Sequence, residues 1–412
     1  MQRVEELKLP HLSIQDPAFA IDPMVYLNQA RRQHPWLAMT DVGYYLVHEY
    51  QAIRDLSYMD DKFRPSMDGI TEYMGGQGGT WAEFFANTML ARHSVQDHAR
   101  LRASVAAWFT PRSINRYRPL MQEVVSRQLA EWAPRGAFDF AEFAANFPIR
   151  VMFALIGASL DALPGILKAL EAQGMSANLV RSMLPELNQA IEDLWNFVHE
   201  LIIERRRDGT GQRNDLLDSV LAASAAGQLD EAELHNLLIF LFAAGYDTSK
   251  NMLTLIMRMM LDHPEHWIRC AQDRPFCDKV VEETFRYNSV SQLYRTATED
   301  VTYRDVLFPK GTILFMTISL AGRDPGAWVD ADHFQPERPD AGRHVAFGRG
   351  IHLCLGQYLA RAQLQEGIHL IARRLHKPRL VGDVTWRPFP GVWGIRSLPI
   401  AFDPAASPEA AH

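Results

Sequence analysis

The chain is poor in cysteine and has no excess of basic residues. Its 412 residues include only three cysteines, Cys270, Cys277 and Cys354, and these do not form the pattern of a disulfide framework. Such cysteine usage is typical of a reducing compartment, so we expect a cytoplasmic protein. The formal net charge is −7, whereas proteins that bind nucleic acids usually carry a basic excess that attracts phosphates. We therefore expect no nucleic-acid partner.

Long apolar runs are also missing. The most apolar segment, residues 237–244, is much shorter than the roughly 20 residues that a helix needs to cross a bilayer. The N-terminus carries charged residues from position 3 onward and lacks the apolar stretch of a signal peptide. The sequence therefore predicts no membrane span.

No internal repeat and no long linker divides the chain. The Gly-rich or polar stretches 75–80 and 207–213 are short enough to be loops. Helical periodicity dominates from about residue 80 to 290, whereas β-branched and aromatic runs occur at 36–47, 301–317 and 384–402. These patterns predict a mainly α-helical fold with small β-sheets. We expect one domain over residues 1–412, with an irregular segment over about residues 1–20.

The clearest predicted helix begins at Asp230, which can cap it, and ends at His263-Pro264. Such a helix would be about 48 Å long. Its middle, Ala243-Ala-Gly-Tyr-Asp-Thr248, places a glycine, an acid and a hydroxyl where deep packing is expected. A packing glycine, with the Asp and Thr bonded back to the helix backbone, would explain this segment. A bound molecule beside the helix is the alternative, and for this segment alone packing is the favoured explanation.

Cys354 lies in the segment Phe347-Gly-Arg-Gly-Ile-His-Leu-Cys-Leu-Gly356, directly before a stretch with helical spacing. Free backbone N–H groups and the positive end of a helix dipole favour a thiolate at such a position. The closely spaced glycines let the loop approach a flat ligand without Cβ clashes. A lone cysteine is usually a buried structural residue, but this pattern specifies too many positions for that alone.

This segment resembles the haem-binding loop of the cytochrome P-450 family, in which the cysteine thiolate is the proximal iron ligand. The resemblance extends from about residue 20 to residue 400 and implies a triangular helical domain around one haem b. It implies that Cys354 is the metal ligand and that Asp247 and Thr248 are catalytic, as the acid and the alcohol of a proton relay. The implied cofactor-binding residues are His98, Arg102, Ala244, Gly245, Arg295, Phe347, His352, Cys354 and Gly356.

The resemblance also implies a structural network and a substrate pocket. Glu283 and Arg286 look like the family's Glu-x-x-Arg pair, and Arg338 looks like the arginine that completes a buried network with them. An i, i+3 pair of this kind is more often solvated on a helix surface. The implied pocket walls are Phe240, Ala243, Ala244, Val290, Ser291, Leu293, Val392 and Trp393. Residues 81–85, with Trp81, Phe84 and Phe85, would form a substrate lid or be plain core residues.

The function implied by the resemblance is that of a haem-thiolate monooxygenase. It would use O₂ and two external electrons to hydroxylate, O-dealkylate or epoxidise a compact hydrophobic molecule such as a terpenoid, an aromatic compound or a steroid. The chain has no dinucleotide fingerprint and no cysteine cluster for an iron–sulfur centre. A ferredoxin and an NAD(P)H-dependent ferredoxin reductase are therefore the expected partners. Arginines for docking an acidic ferredoxin would be Arg112, Arg116, Arg343, Arg349 and Arg361, unless these are ordinary surface residues.

Two other functions stay open from the sequence. A haem peroxygenase or a rearrangement enzyme would keep the cofactor but often alters the acid and alcohol pair, which is intact here as Asp247 and Thr248. A non-catalytic haem sensor would need neither a proton relay nor an apolar pocket, and is the weaker alternative.

Overall fold

The computed structural model describes residues 2–91, 95–209 and 211–404, and most of them are helical. The α-helices in these ranges are α1 (Pro17–Ile21), α2 (Pro23–Gln33), α3 (Tyr50–Ser57), α4 (Met67–Met74), α5 (Thr80–Asn87), α6 (Val95–Ala106), α7 (Pro111–Asn115), α8 (Arg118–Trp132), α9 (Phe140–Ile156), α10 (Leu163–Gln173), α11 (Leu184–Asp208), α12 (Leu216–Ala225), α13 (Glu231–Asp262), α14 (Pro264–Gln272), α15 (Arg274–Tyr287) and α16 (Gln357–Arg374). The prediction of a mainly helical fold with small sheets is confirmed.

The strands are short and form separate small sheets. They are β1 (Gln2–Arg3), β2 (His11–Leu12), β3 (Leu37–Thr40), β4 (Tyr45–Val47), β5 (Phe63–Pro65), β6 (Ala137–Asp139), β7 (Leu293–Ala297), β8 (Val301–Tyr303), β9 (Val306–Phe308), β10 (Ile313–Met316), β11 (Leu375–Leu380), β12 (Thr385–Trp386), β13 (Ile395–Ser397) and β14 (Pro399–Pro404). The largest sheet has six strands in the order β2-β3-β4-β10-β7-β5. The others have the orders β1-β9-β8, β11-β14-β6 and β12-β13.

The N-terminal segment was expected to be irregular, but it contains short strands and a helix. Strand β1 pairs in parallel with β9, and β2 pairs in parallel with β3. Asp16 then caps α1 by accepting a hydrogen bond from the Ala18 N–H. Strands of two residues carry too little pattern to be recognised in a sequence, because their partners in the fold supply the hydrogen bonds.

Helix α13 crosses the centre of the molecule and begins and ends as predicted. The Asp230 side chain accepts from the Glu233 N–H at 2.7 Å, and the Glu233 side chain accepts from the Asp230 N–H at 3.2 Å. These reciprocal bonds satisfy free N–H groups of the first turn. Helices α9, α11 and α16 pack against α13, so its apolar residues are buried on several sides. No helix of the described ranges is apolar over enough length to cross a membrane.

The predicted network of Glu283, Arg286 and Arg338 is present and buried. The Glu283 and Arg286 side chains are 0% exposed and form two hydrogen bonds, of 2.8 and 2.7 Å. Arg338 Nε donates to the same carboxylate at 3.2 Å. The remaining Arg286 donors bond to the carbonyl oxygens of Gly322, Ala331 and His333. The network therefore attaches the loops after β10 to α15 with no charge left unpaired.

We expect Arg286→Met to lower the free energy of unfolding by roughly 3–5 kcal/mol, because it leaves the buried Glu283 carboxylate without its main partner. Urea unfolding followed by tryptophan fluorescence measures this change. The control is Arg206→Ala, which removes an ion pair to Glu231 whose side chains are 44% and 61% exposed, and should cost less than about 1 kcal/mol. Equal effects of the two substitutions would contradict a structural role for the network.

Candidate active site

A cavity of about 420 Å³ lies between the middle of α13 and the loop that carries Cys354. Ala244 is exposed to it, although the helix around Ala244 is otherwise packed. Gly245 also lines the cavity, and a Cβ at this position would lie 2.7 Å from the Met152 side chain of α9. A Cβ at Gly245 would therefore displace the Met152 side chain, so close packing favours glycine here. Gly245 also borders the cavity, so a bound molecule stays open as a second reason for it.

Most of the predicted residues meet in this cavity. Its walls include Arg102, Phe240, Ala243, Ala244, Gly245, Asp247, Thr248, Val290, Ser291, Leu293, Arg295, Phe347, His352, Cys354, Gly356 and Val392. His98 does not border it but lies behind His352, with ring centroids 4.6 Å apart.

Trp393 was expected at the pocket wall and packs in the core instead. Its ring stacks on Trp386, and its indole N–H donates to the Ala20 carbonyl oxygen at 2.9 Å. Phe84 and Phe85 line the cavity, whereas Trp81 is completely buried beside Phe85 and does not. Trp81 is therefore a core residue, and the prediction of a lid stays open for Phe84 and Phe85 of α5 alone.

Thr248 and Asp247 have different surroundings. Thr248 is half-buried at the cavity, and its hydroxyl donates to the Ala244 carbonyl oxygen at 3.0 Å. Asp247 is buried, and its Oδ1 accepts from Arg387 Nη1 at 2.6 Å and from Asn251 Nδ2 at 3.1 Å. Its Oδ2 is buried without a hydrogen-bond partner among the described residues. The acid is thus held by a cation that the sequence analysis did not identify.

Arg387 separates the cavity from a second space. A cleft of about 790 Å³ between α9, α10 and α11 is lined by Arg387 and by Lys250, which forms 2.6 Å bonds with both carboxylate oxygens of Glu171. Asp247 lines the inner cavity and Arg387 lines the cleft. The ion pair therefore forms part of the wall between the two spaces.

The loop around Cys354 holds the sulfur at the cavity. The Cys354 N–H donates to the Phe347 carbonyl oxygen at 2.9 Å, and the Phe347 ring packs on Phe285 with centroids 4.6 Å apart. Burial raises the pKa of the Cys354 thiol, opposed by the Gly356 N–H and by Arg102 and Arg361. The expected preference for thiolate is therefore outweighed by burial in the polypeptide alone. A coordinated metal ion would deprotonate such a thiol.

Basic groups from separate elements gather beside this loop. His98 and Arg102 come from α6, Arg295 comes from β7, and His352 precedes Cys354 by two residues. The Nε of Arg295, the Nε2 of His98 and the Nδ1 of His352 are buried without hydrogen-bond partners among the described residues. Burial lowers the pKa of Arg295, and lowers that of His352 to about 3. Unpaired buried donors are rare in folded proteins, so this group fits an anionic ligand.

The donor set as a whole fits haem. It combines a thiol facing a cavity, apolar walls, and unpaired donors for the two propionates. Asp60 also lies at this group and was missed in the sequence, as was Arg387. Neither residue belongs to a local pattern, because each meets its partner through the tertiary fold.

Comparisons with known proteins agree with this geometry. The sequence model of the cytochrome P-450 family matches residues 77–376. The chain is 31% identical over 403 residues to the luteothin monooxygenase of Streptomyces thioluteus, and the alignment covers 96% of this chain and 97% of that protein.

Solved structures show the same fold. CalO2 superposes with a TM-score of 0.86 at 24% identity, covering 96% of this chain and 100% of that one. The P-450 monooxygenase TamI, solved with tirandamycin C bound, superposes with a TM-score of 0.80 at 26% identity, covering 96% and 100%. The chain therefore belongs to the cytochrome P-450 family and is a P-450 monooxygenase with haem as its cofactor.

Proposed function

We propose that Cys354 ligates the haem iron and that the enzyme oxidises a compact hydrophobic molecule with electrons from a ferredoxin. The observation that carries this proposal is the position of Cys354 across one apolar cavity from Asp247 and Thr248. His98, Arg102, Arg295 and His352 would bind the propionates. Haem in this family activates O₂ with two electrons and two protons, so that one oxygen atom enters the substrate and the other leaves as water.

The first test is the absorption difference spectrum of the dithionite-reduced protein with and without carbon monoxide. Thiolate ligation gives a strongly red-shifted Soret band, and we expect Cys354→Ser to lose this band. Cys277→Ser is the matched control, because Cys277 is buried and its thiol contacts the Cys270 carbonyl oxygen. A band typical of imidazole ligation in the wild type, or a red-shifted band in Cys354→Ser, would refute the assignment.

Asp247 and Thr248 are proposed to supply protons to the cavity. The Thr248 hydroxyl is at the cavity surface and can exchange its bond to Ala244 for a bond to a bound molecule or an ordered water. Asp247 lies one residue earlier, with Arg387 as its counter-ion toward the outer cleft. This arrangement supports a path from solvent through the acid to the alcohol.

We expect Thr248→Ala to lower product formed per NAD(P)H consumed by roughly tenfold, since general acid catalysis contributes about 10²–10⁴ and water replaces part of it. Thr248→Ser keeps the hydroxyl and is the control. A substrate is first found by the low-spin to high-spin shift in a panel of terpenoids, aromatic compounds and steroids. Undiminished product per NAD(P)H in Thr248→Ala would argue against the proton role.

The cavity walls favour a compact apolar substrate that carries a polar group. The apolar side chains include Phe84, Phe85 and Val392, and the cofactor occupies part of the same space. The amides of Gln173 and Gln292 also line the cavity, and each has a buried oxygen without a partner. Similarity to a luteothin monooxygenase and to the tirandamycin C-bound TamI supports an organic substrate of this kind. Product formed with O₂ and reductase, and not with peroxide alone, would exclude a peroxygenase.

The docking surface for an acidic ferredoxin is proposed around α7. Arg112 and Arg116 are exposed on this helix and its end. Arg343 is also exposed, whereas Arg349 bonds to backbone carbonyl oxygens of its own loop. Arg361 forms an ion pair with Glu282 at 2.8 Å and stacks on Phe347, so it supports the cysteine loop.

We expect the double substitution Arg112→Glu and Arg116→Glu to slow the first electron transfer from ferredoxin by about tenfold at low salt, because it replaces attraction with repulsion. Stopped-flow reduction under carbon monoxide measures this rate. Arg32→Glu, an exposed charge change on α2, should leave it unchanged. Equal rates in all three proteins would place the docking surface elsewhere.

A further inference from the structure

Asp60 is a carboxyl group that no motif identifies, and it lies directly behind Arg295 and His352 of the cavity wall. It lies in the loop between α3 and β5, and its side chain is 10% exposed. Its Oδ2 accepts a hydrogen bond from the Ile351 N–H at 3.0 Å. Gly350 has a φ of +73°, and a Cβ there would clash with this oxygen. The loop that carries His352 therefore fits against Asp60 only with glycine at this position.

The other oxygen of Asp60 has no hydrogen-bond partner. Oδ1 is buried, and no described residue bonds to it. It lies 3.7 Å from Arg295 Nη2 and 4.0 Å from His352 Nε2, which is too far for a hydrogen bond but inside the basic group. Buried carboxylate oxygens normally have partners, so a group that the polypeptide does not supply is expected beside Oδ1.

The charges at this position favour a proton on a carboxyl group. Arg102 and Arg295 are permanent cations, and two propionates would balance them. A third carboxylate would then be in excess, and carboxylates that share a site raise the pKa of one of them. Burial also raises the pKa of Asp60, opposed by the Ile351 N–H, Arg295 and His98. The titratable and charged groups that face Asp60 are His98, Arg295, His352 and the neighbouring Asp61, and Arg102 faces His98 and His352 in turn.

We propose that Asp60 is a third carboxyl group of the propionate site and that it keeps a proton, which Oδ1 donates to a haem propionate. The proposal rests on the proposed haem site. Asp60 is a positioning residue, because Oδ2 holds the cysteine loop while Oδ1 holds the cofactor. The pKa of this carboxyl group is then higher with haem bound than without it. The bond is fully present below the lower pKa, and it is lost as the pH rises through the higher one.

Transfer of haem from the ferric holoenzyme to excess apomyoglobin tests this without turnover. The variants are Asp60→Asn, Asp60→Ala and, as a control, Asp383→Asn at an exposed position between β11 and β12. Asparagine keeps an oxygen for the Ile351 N–H and an N–H donor toward the propionate, but it does not ionise. We expect wild-type transfer to become about tenfold faster as the pH rises through the pKa of Asp60, because a charge-assisted bond is lost. Asp60→Asn should be slow and independent of pH, and Asp383→Asn should behave as the wild type.

Asp60→Ala should lose haem about tenfold faster than the wild type at the low-pH end of the profile, since both of its bonds are absent. The proposal is overturned if wild-type transfer is independent of pH and Asp60→Asn is faster, because an ionised Asp60 that only neutralises Arg295 behaves in that way. Each protein is first checked for the red-shifted carbon monoxide band. Its absence in the wild type refutes the haem-thiolate site, whereas its presence without any effect of Asp60→Asn refutes the role of Asp60 alone. If Asp60→Ala does not fold, the pH profiles of wild type and Asp60→Asn decide.

Discussion

Permanent positive charge inside the fold is the constraint on which the site depends. Arg295 is buried on β7 with its Nε unpaired, and Arg102 reaches the same place from α6. Burial lowers the pKa of both guanidinium groups, which shows that the polypeptide solvates their charge poorly. If the cofactor's two carboxylates bind here as proposed, their binding stabilises the folded protein, because a ligand of the native state shifts the folding equilibrium toward it.

The buried Arg286 shows what an arginine is like when all of its hydrogen-bond donors have partners. Arg286 is as deeply buried as Arg295, but Glu283 and three carbonyl oxygens accept from all of its donors. The arrangement around Arg286 is complete within the chain and orders the loops around α15. The Nε of Arg295 has no partner among the described residues, which is why a ligand is proposed there. Unsatisfied buried hydrogen-bond donors therefore distinguish a binding site from the structural core more clearly than burial does.

The features that could be predicted from the sequence are those whose residues lie close together along the chain. The ends of α13 and the loop before α16 are visible because capping residues, glycines and Cys354 occur at short, regular spacings. Arg387 is 140 residues from Asp247, and Ile351 is 291 residues from Asp60, so no local pattern connects them. Trp393, by contrast, was predicted in the wrong place. It is a large apolar residue of the kind that lines a pocket, but its indole N–H donates to the Ala20 carbonyl oxygen, in a segment that was expected to be irregular.

The segment between β12 and β13 contacts both the cavity and Asp247. It carries Arg387, which holds Asp247, and Val392, which lines the cavity and bridges to Ser291. The Trp393 N–H fixes it further by donating to the Val290 carbonyl oxygen at 2.7 Å. A change in the length or register of this hairpin therefore moves a pocket wall and a counter-ion together. If Asp247 has the proposed proton role, a substitution in this hairpin that alters substrate choice would also alter the product formed per electron consumed.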